Sequence, residues 1–165
     1  MKKTKSITRT ALWVTVAVLL GYIESLFPPI VPVAGVKLGL SNIVVVLLLY
    51  TEGKKAVAVT LLKVSLCALL FGNPTSFIYS LSGGVASLLI MMAAKKTNAF
   101  SLLGVSSLGG IFHNAAQLLC AYVIIGKGAL FHIPLLALSG ALCGLFIGIG
   151  AKILIRKGGN LFGEK

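Results

Sequence analysis

Six apolar runs, with most of the basic residues in the connections and terminal segments outside them, constrain this chain more than any other feature. A run of about 17 to 25 apolar residues can cross a bilayer as a helix. The runs lie at residues 8–26, 39–51, 55–72, 76–94, 103–125 and 132–155. The sequence therefore predicts an all-α integral membrane bundle of six transmembrane helices.

The second run is short, and the loop before it, FPPIVPVAGVKLGLSN, is rich in Pro and Gly. We expect part of this loop to fold back into the protein, because non-helical backbone at membrane depth is tolerated where it lines a cavity. The N-terminus has the basic and apolar regions of a secretory signal but no convincing cleavage site. We interpret it as the first membrane helix.

The composition supports a multi-pass protein of the cell membrane. The 165 residues are 58% hydrophobic and 11% charged, with a mean hydropathy of +1.04, far from the balance of a soluble domain. No linker or change of composition divides the chain, which predicts a single domain over residues 1–165.

The basic residues predict the orientation of the bundle, since cytoplasmic loops are enriched in Lys and Arg. If the N-terminus is cytoplasmic, twelve of the 15 Lys and Arg residues lie on the inside. Only Lys37 and Lys127 then lie outside, and Lys63 falls within the third run. This distribution predicts that both termini are cytoplasmic.

Polar residues inside apolar runs are the candidate binding residues, because unpaired polar groups are costly in hydrocarbon. In the predicted topology they gather on the outer side and at mid-depth. The candidates for a substrate site are Glu24, Lys37, Asn42, Lys63, Asn73, Tyr79, His113, Asn114 and Gln117.

His113 and Gln117 share a helix face, since positions i and i+4 are neighbours, whereas Asn114 lies about 100° further round. Together they could form the floor of a cavity open to the outer side. The alternative is that these residues, and Asn42, form hydrogen bonds between helices.

Lys63 requires a partner, because a lone ammonium at mid-bilayer is costly. By depth the only nearby acid is Glu24. Either the two residues form a buried pair, or Lys63 faces an anionic ligand.

Small residues predict close helix packing. Gly140, Gly144 and Gly148 repeat at four-residue spacing in the sixth run, a pattern that lets helix backbones approach. In the first run the small residues could instead form a docking face for another membrane subunit. The candidates for that face are Ala11, Thr15, Ala17 and Gly21.

Several classes of chemistry are missing from the sequence. It contains no Asp, its three Glu are isolated, and it has neither a P-loop nor an HExxH motif, so we expect no catalytic residues, no metal and no cofactor. Basic residues are not interleaved with aromatic ones, which argues against nucleic acid. The three Cys lie in apolar runs without metal-ligand spacing, as expected of buried hydrophobes.

Three blocks carry a family resemblance: ESLFPPIVPVAGVKLGLSNIVVVLLLY, GNPTSFIYSLSGG and GGIFHNAAQL. Along the whole chain, the sequence resembles the bacterial family called heptaprenyl diphosphate synthase component I, or Gx transporter family. Six short spans and a Pro/Gly first loop also make it similar to the S components of energy-coupling factor transporters. That similarity implies a transmembrane scaffold subunit and a pair of ATPases as partners, with substrate in an outward cavity. It also implies an Ala-x-x-x-Ala docking motif, which appears here as Ala11-x-x-x-Thr15 or Ala17-x-x-x-Gly21.

Prenyl-chain elongation in soluble prenyl synthases needs two Asp-rich motifs, which this chain lacks. We therefore expect a non-enzymatic membrane subunit that binds a small metabolite or vitamin-like compound for uptake. The alternatives are a non-catalytic membrane subunit associated with isoprenoid or quinone synthesis, and a helical scaffold without a ligand.

Overall fold

The computed structural model describes residues 2–26 and 39–162, and all of its regular structure there is helical. Six α-helices and one 3₁₀ helix follow one another with short connections. They are α1 Lys2–Ser25, α2 Asn42–Thr51, α3 Lys54–Phe71, α4 Pro74–Thr97, α5 Leu102–Ile125, the 3₁₀ helix Lys127–His132, and α6 Ile133–Phe162.

Among the described residues, four segments are long and apolar enough to cross a membrane: Thr4–Ser25, Pro74–Thr97, Leu102–Ile124 and Lys127–Gly158. Their outward surfaces carry large exposed apolar side chains such as Leu89, Val123 and Phe131, the last 91% exposed. Continuous exposed apolar surface of this kind marks contact with lipid or protein rather than water.

The helix lengths do not reproduce six complete spans. The second run forms only ten helical residues, beginning at Asn42 rather than residue 39, and at 1.5 Å per residue α2 is about 15 Å long. α3 has 18 residues and includes Lys54, Lys55 and Lys63. The Pro/Gly loop predicted to fold back lies mostly outside the described residues.

α2 is the centre of the bundle. Six consecutive residues, Val44 to Leu49, are buried, so this helix is covered on all sides, as expected for one that is apolar all round. It packs against α3 and α6, with a smaller contact to α1. The remaining contacts run α1 to α3, α3 to α4, α4 to α5 and α5 to α6.

Glycines bring α5 and α6 together, as the four-residue spacing predicted. A Cβ on Gly140 would lie 2.6 Å from the Gly110 carbonyl oxygen, and one on Gly144 would lie 2.5 Å from that of Ser106. The Ser106 hydroxyl donates a 2.6 Å hydrogen bond to the Gly144 carbonyl. The packing role predicted for the α6 glycines is therefore confirmed.

Basic side chains and one acid hold one end of the bundle together. Glu52, just after α2, lies 2.8 Å from Arg9 of α1 and 2.5 Å from Lys55 of α3. From α4, Lys95 donates to the Leu49 carbonyl at 2.7 Å and lies over the Tyr50 ring. These contacts place the start of α1 and the ends of α2 and α4 at this end, called here the basic end.

Candidate functional site

A cavity of about 90 Å³ lies toward the end of the bundle opposite the basic end, where α1 ends and α2 begins. Its walls come from α1, α3, α4 and α5, together with the first residue of α2 and the segment just before it. The apolar part of the wall includes Val64 and Phe71. The polar side chains that line it are Glu24, Ser41, Asn42, Lys63, Ser80, His113 and Gln117.

Glu24 holds the chain that leads into α2. Its two carboxylate oxygens accept hydrogen bonds from the backbone N–H groups of Gly39 (2.5 Å) and Leu40 (3.0 Å). A buried carboxylate is tolerated only when it is well bonded, and these two donors supply that bonding. Gly39 has φ +74°, a left-handed conformation that glycine adopts without strain.

Lys63 holds the first residues of α2. It is 4% exposed, and its ammonium donates to the Ser41 hydroxyl at 3.0 Å and to Oδ1 of Asn42. Among the described residues Lys63 makes no direct ion pair with Glu24. The carboxylate of Glu24 and the ammonium of Lys63 instead line one cavity, and each forms hydrogen bonds with a different part of the segment 39–42.

His113 and Gln117 form the contact that their spacing predicted. Nε2 of His113 and Nε2 of Gln117 are 3.1 Å apart. Nδ1 of His113 and Oε1 of Gln117 are buried and have no hydrogen-bond partner in the described part of the chain. Since buried polar groups are nearly always paired, these two atoms are the unsatisfied groups of two side chains that line the cavity.

Gly83 of α4 fits the His113–Gln117 pair closely. A Cβ at this position would lie 2.9 Å from Cε1 and Nε2 of the imidazole and 3.1 Å from Cγ of Gln117. Glycine is therefore what allows α4 to approach this face of α5.

The structure divides the predicted substrate residues into two groups. It brings Glu24, Asn42, Lys63, His113 and Gln117 to one cavity. It places three others elsewhere. Asn114 donates to the Leu136 carbonyl and to Ser139 of α6, and Asn73 caps α4 by accepting from the Ser76 N–H. Tyr79 is half-buried outside the cavity lining. The remaining candidate, Lys37, lies outside the described residues.

Two polar lining residues, Ser41 and Ser80, were not among the predicted site residues. A serine in an apolar run gives a weak signal, because its hydroxyl can bond to the backbone of its own helix. Within the described ranges no group of three or more His, Cys, Asp or Glu is placed to hold a metal ion.

The predicted docking face of α1 also separates into two faces. Ala11 and Thr15 are exposed. Ala17 is fully buried, and a Cβ on Gly21 would lie 3.1 Å from Sγ of Cys67 in α3. Ala17 and Gly21 thus serve packing inside the bundle, which leaves only Ala11 and Thr15 facing outward.

Fold and cavity together define an all-helical membrane protein with a group of polar side chains around one internal cavity. The profile of a known family, described as heptaprenyl diphosphate synthase component I, matches residues 13–154. The chain belongs to this family, which confirms the resemblance stated from the sequence blocks. No curated protein and no solved structure matches the chain.

Proposed function

We propose that this chain is the substrate-binding subunit of an uptake system in the cell membrane, similar to an S component. The single domain forms a bundle of six membrane-embedded helices with both termini in the cytoplasm. It captures a small metabolite in the cavity, and a transmembrane scaffold subunit and ATPase subunits supply the energy. One observation carries the proposal: His113 and Gln117, each with a buried and unpaired polar atom, line a cavity toward the end opposite the basic end.

The distribution of charge supports an outward-facing cavity. The start of α1, the start of α3, the end of α4 and the end of α6 carry nearly all basic residues of the described chain. Lys127 is the described basic residue located in the connection at the opposite end. By the enrichment of Lys and Arg in cytoplasmic loops, the cavity end faces outward.

Cysteine labelling tests this orientation. In a variant whose Cys67, Cys120 and Cys143 are replaced by Ala, we expect Thr75→Cys and Lys127→Cys to react with an impermeant maleimide in intact cells. Lys54→Cys and Lys96→Cys should react only after the cells are opened. All four positions are exposed, so accessibility within the protein does not confound the comparison. The reverse pattern would turn the cavity toward the cytoplasm.

A binding screen tests the function itself. We expect at least one compound in a set of vitamins, their precursors and other small metabolites to raise the melting temperature of the purified chain. Gly83→Ala should weaken that binding about tenfold or more, because its Cβ displaces His113 or Gln117 and misplaced polar partners cost about 1 to 3 kcal/mol.

Gly104→Ala is the matched control for this screen. Its Cβ would meet Phe100 at 3.5 Å, an ordinary contact away from the cavity, so its binding should equal that of the wild type. If both variants bind the hit like the wild type, the ligand sits elsewhere and the proposed site is wrong.

The description of the family favours a second candidate, a non-catalytic membrane subunit associated with heptaprenyl diphosphate synthesis. A soluble prenyl synthase would meet this chain at its cytoplasmic end, which is the basic end in the proposed orientation. Stabilisation by prenyl diphosphates alone, unaffected by Gly83→Ala, would support this second function over uptake.

A further inference from the structure

The pairing of His113 and Gln117 leaves a defined pattern of unsatisfied hydrogen-bonding groups. If one N–H of the Gln117 amide donates to Nε2 of a neutral imidazole, the free groups are the Nδ1–H donor, the second amide N–H donor and the Oε1 acceptor. If the amide is turned over, Oε1 accepts from Nε2–H, and the free groups are the two amide N–H donors and the Nδ1 acceptor. Both assignments of the amide orientation and the tautomer therefore leave one acceptor and at least one donor unsatisfied.

The charged residues of the cavity are already committed. Both carboxylate oxygens of Glu24 accept backbone N–H groups, and two of the three ammonium protons of Lys63 are used by Ser41 and Asn42. The negative and positive charges offset each other. A phosphate site collects cations without a compensating anion, or free backbone N–H groups. The charged groups of this cavity offer only one remaining ammonium proton, on Lys63, and the carboxylate of Glu24 lines the same cavity.

The size of the cavity sets a further limit. Since roughly 10–15 Å³ of such a volume holds one water, 90 Å³ accommodates a compound of about six to nine non-hydrogen atoms. Val64 and Phe71 supply apolar contact on part of the wall, which suits a small flat ring.

On the basis of the proposed function, we infer that the cavity binds its substrate through an amide or lactam edge, in which one hydrogen-bond donor lies beside one acceptor. This edge satisfies His113 and Gln117 in either assignment. A phosphate or diphosphate, which presents acceptors only, leaves the acceptor of the pair unsatisfied and meets the carboxylate of Glu24.

Three probes test the inference on the purified full-length chain in lipid nanodiscs. 2-Pyridone is a ring with one lactam edge, N-methyl-2-pyridone keeps the carbonyl but lacks the donor, and inorganic pyrophosphate presents only acceptors. Binding is measured by saturation-transfer NMR with titration. We expect 2-pyridone to bind at least about tenfold more tightly than its N-methyl analogue, because the analogue leaves a buried acceptor unpaired, and we expect no binding of pyrophosphate.

Two variants tie this preference to the pair. Gln117→Leu removes the carbonyl and the NH₂ of the side-chain amide at similar volume. It should abolish the difference in affinity between the two pyridones. Gly83→Ala keeps every polar atom but displaces the His113–Gln117 pair, so it should reduce this difference in affinity. It also provides the test if Gln117→Leu fails to fold.

Equal binding of the two pyridones, absence of 2-pyridone binding, or competition by pyrophosphate would overturn the inference. A metabolite that binds in a Gly83-dependent manner would leave the proposed function standing even then. Failure of every compound in the wider screen would remove the proposed function as well.

Discussion

Replacing Lys63 with Met is expected to lower the free energy of unfolding by about 3 to 5 kcal/mol, the usual cost of removing one partner from a buried charged network. Ser41 and Asn42 would lose their donor, and Glu24 would become the sole charge lining the cavity. Chemical denaturation in detergent micelles measures the change. Lys96→Met is the matched control, because Lys96 is exposed. The free energy of unfolding of this variant should stay within about 0.5 kcal/mol of the wild-type value.

A double-mutant cycle with Glu24→Gln shows whether the two charges act on each other without touching. Glu24→Gln alone should cost about 1 to 3 kcal/mol, since a neutral amide replaces a carboxylate that accepts two backbone N–H groups. The double variant should lose less than the sum of the two single losses, because neither lone charge remains. Additivity within about 0.5 kcal/mol would show that Glu24 and Lys63 stabilise the segment 39–42 independently.

Gly140→Ala is expected to destabilise the bundle by about 3 kcal/mol, the upper part of the range for overpacking. Its Cβ would meet backbone atoms of Gly110, and two backbones cannot yield as a flexible side chain does. A lowered melting temperature in detergent measures the effect.

Gly150→Ala, further along the same helix, is the control for this prediction. Its Cβ would lie 3.4 Å from Cδ1 of Ile43, and alanine favours the helix by up to about 1 kcal/mol over glycine. Its stability should therefore be unchanged or raised. Equal melting temperatures for both variants would contradict the close α5–α6 contact.

The cost of polar groups in an apolar chain predicted much of the site. Glu24, Lys63, His113 and Gln117 were selected because each is expensive in hydrocarbon, and the structure places all four around one cavity. Helical spacing also predicted the contact between His113 and Gln117. These inferences needed only local geometry and the depth of each residue.

Partners supplied by tertiary packing could not be predicted in the same way. A direct pair between Glu24 and Lys63 was one open alternative, but the segment 39–42 stands between them, and a backbone N–H leaves no mark in the sequence. For Asn114 both a substrate contact and a hydrogen bond between helices were open, and it bonds to α6, which the glycines bring close.

Helix geometry alone could have separated the docking candidates. Ala11 and Ala17 are six residues apart, which places them about 120° apart around the helix axis. They cannot face one partner together, and the structure buries Ala17 while exposing Ala11. The exposed pair Ala11 and Thr15 keeps the spacing of the proposed docking motif.

The burial of α2 has a consequence for the order in which the chain assembles during synthesis. α2 is ten residues long, too short to stay across a bilayer alone. One of its principal packing surfaces is α6, which is synthesised more than 80 residues later. Contacts between segments so distant in the chain form late, since the intervening loop must close first. The burial of Val44 to Leu49 is therefore complete only after α6 has been synthesised. A nascent chain that stops before Ile133 should remain susceptible to proteolysis next to α2.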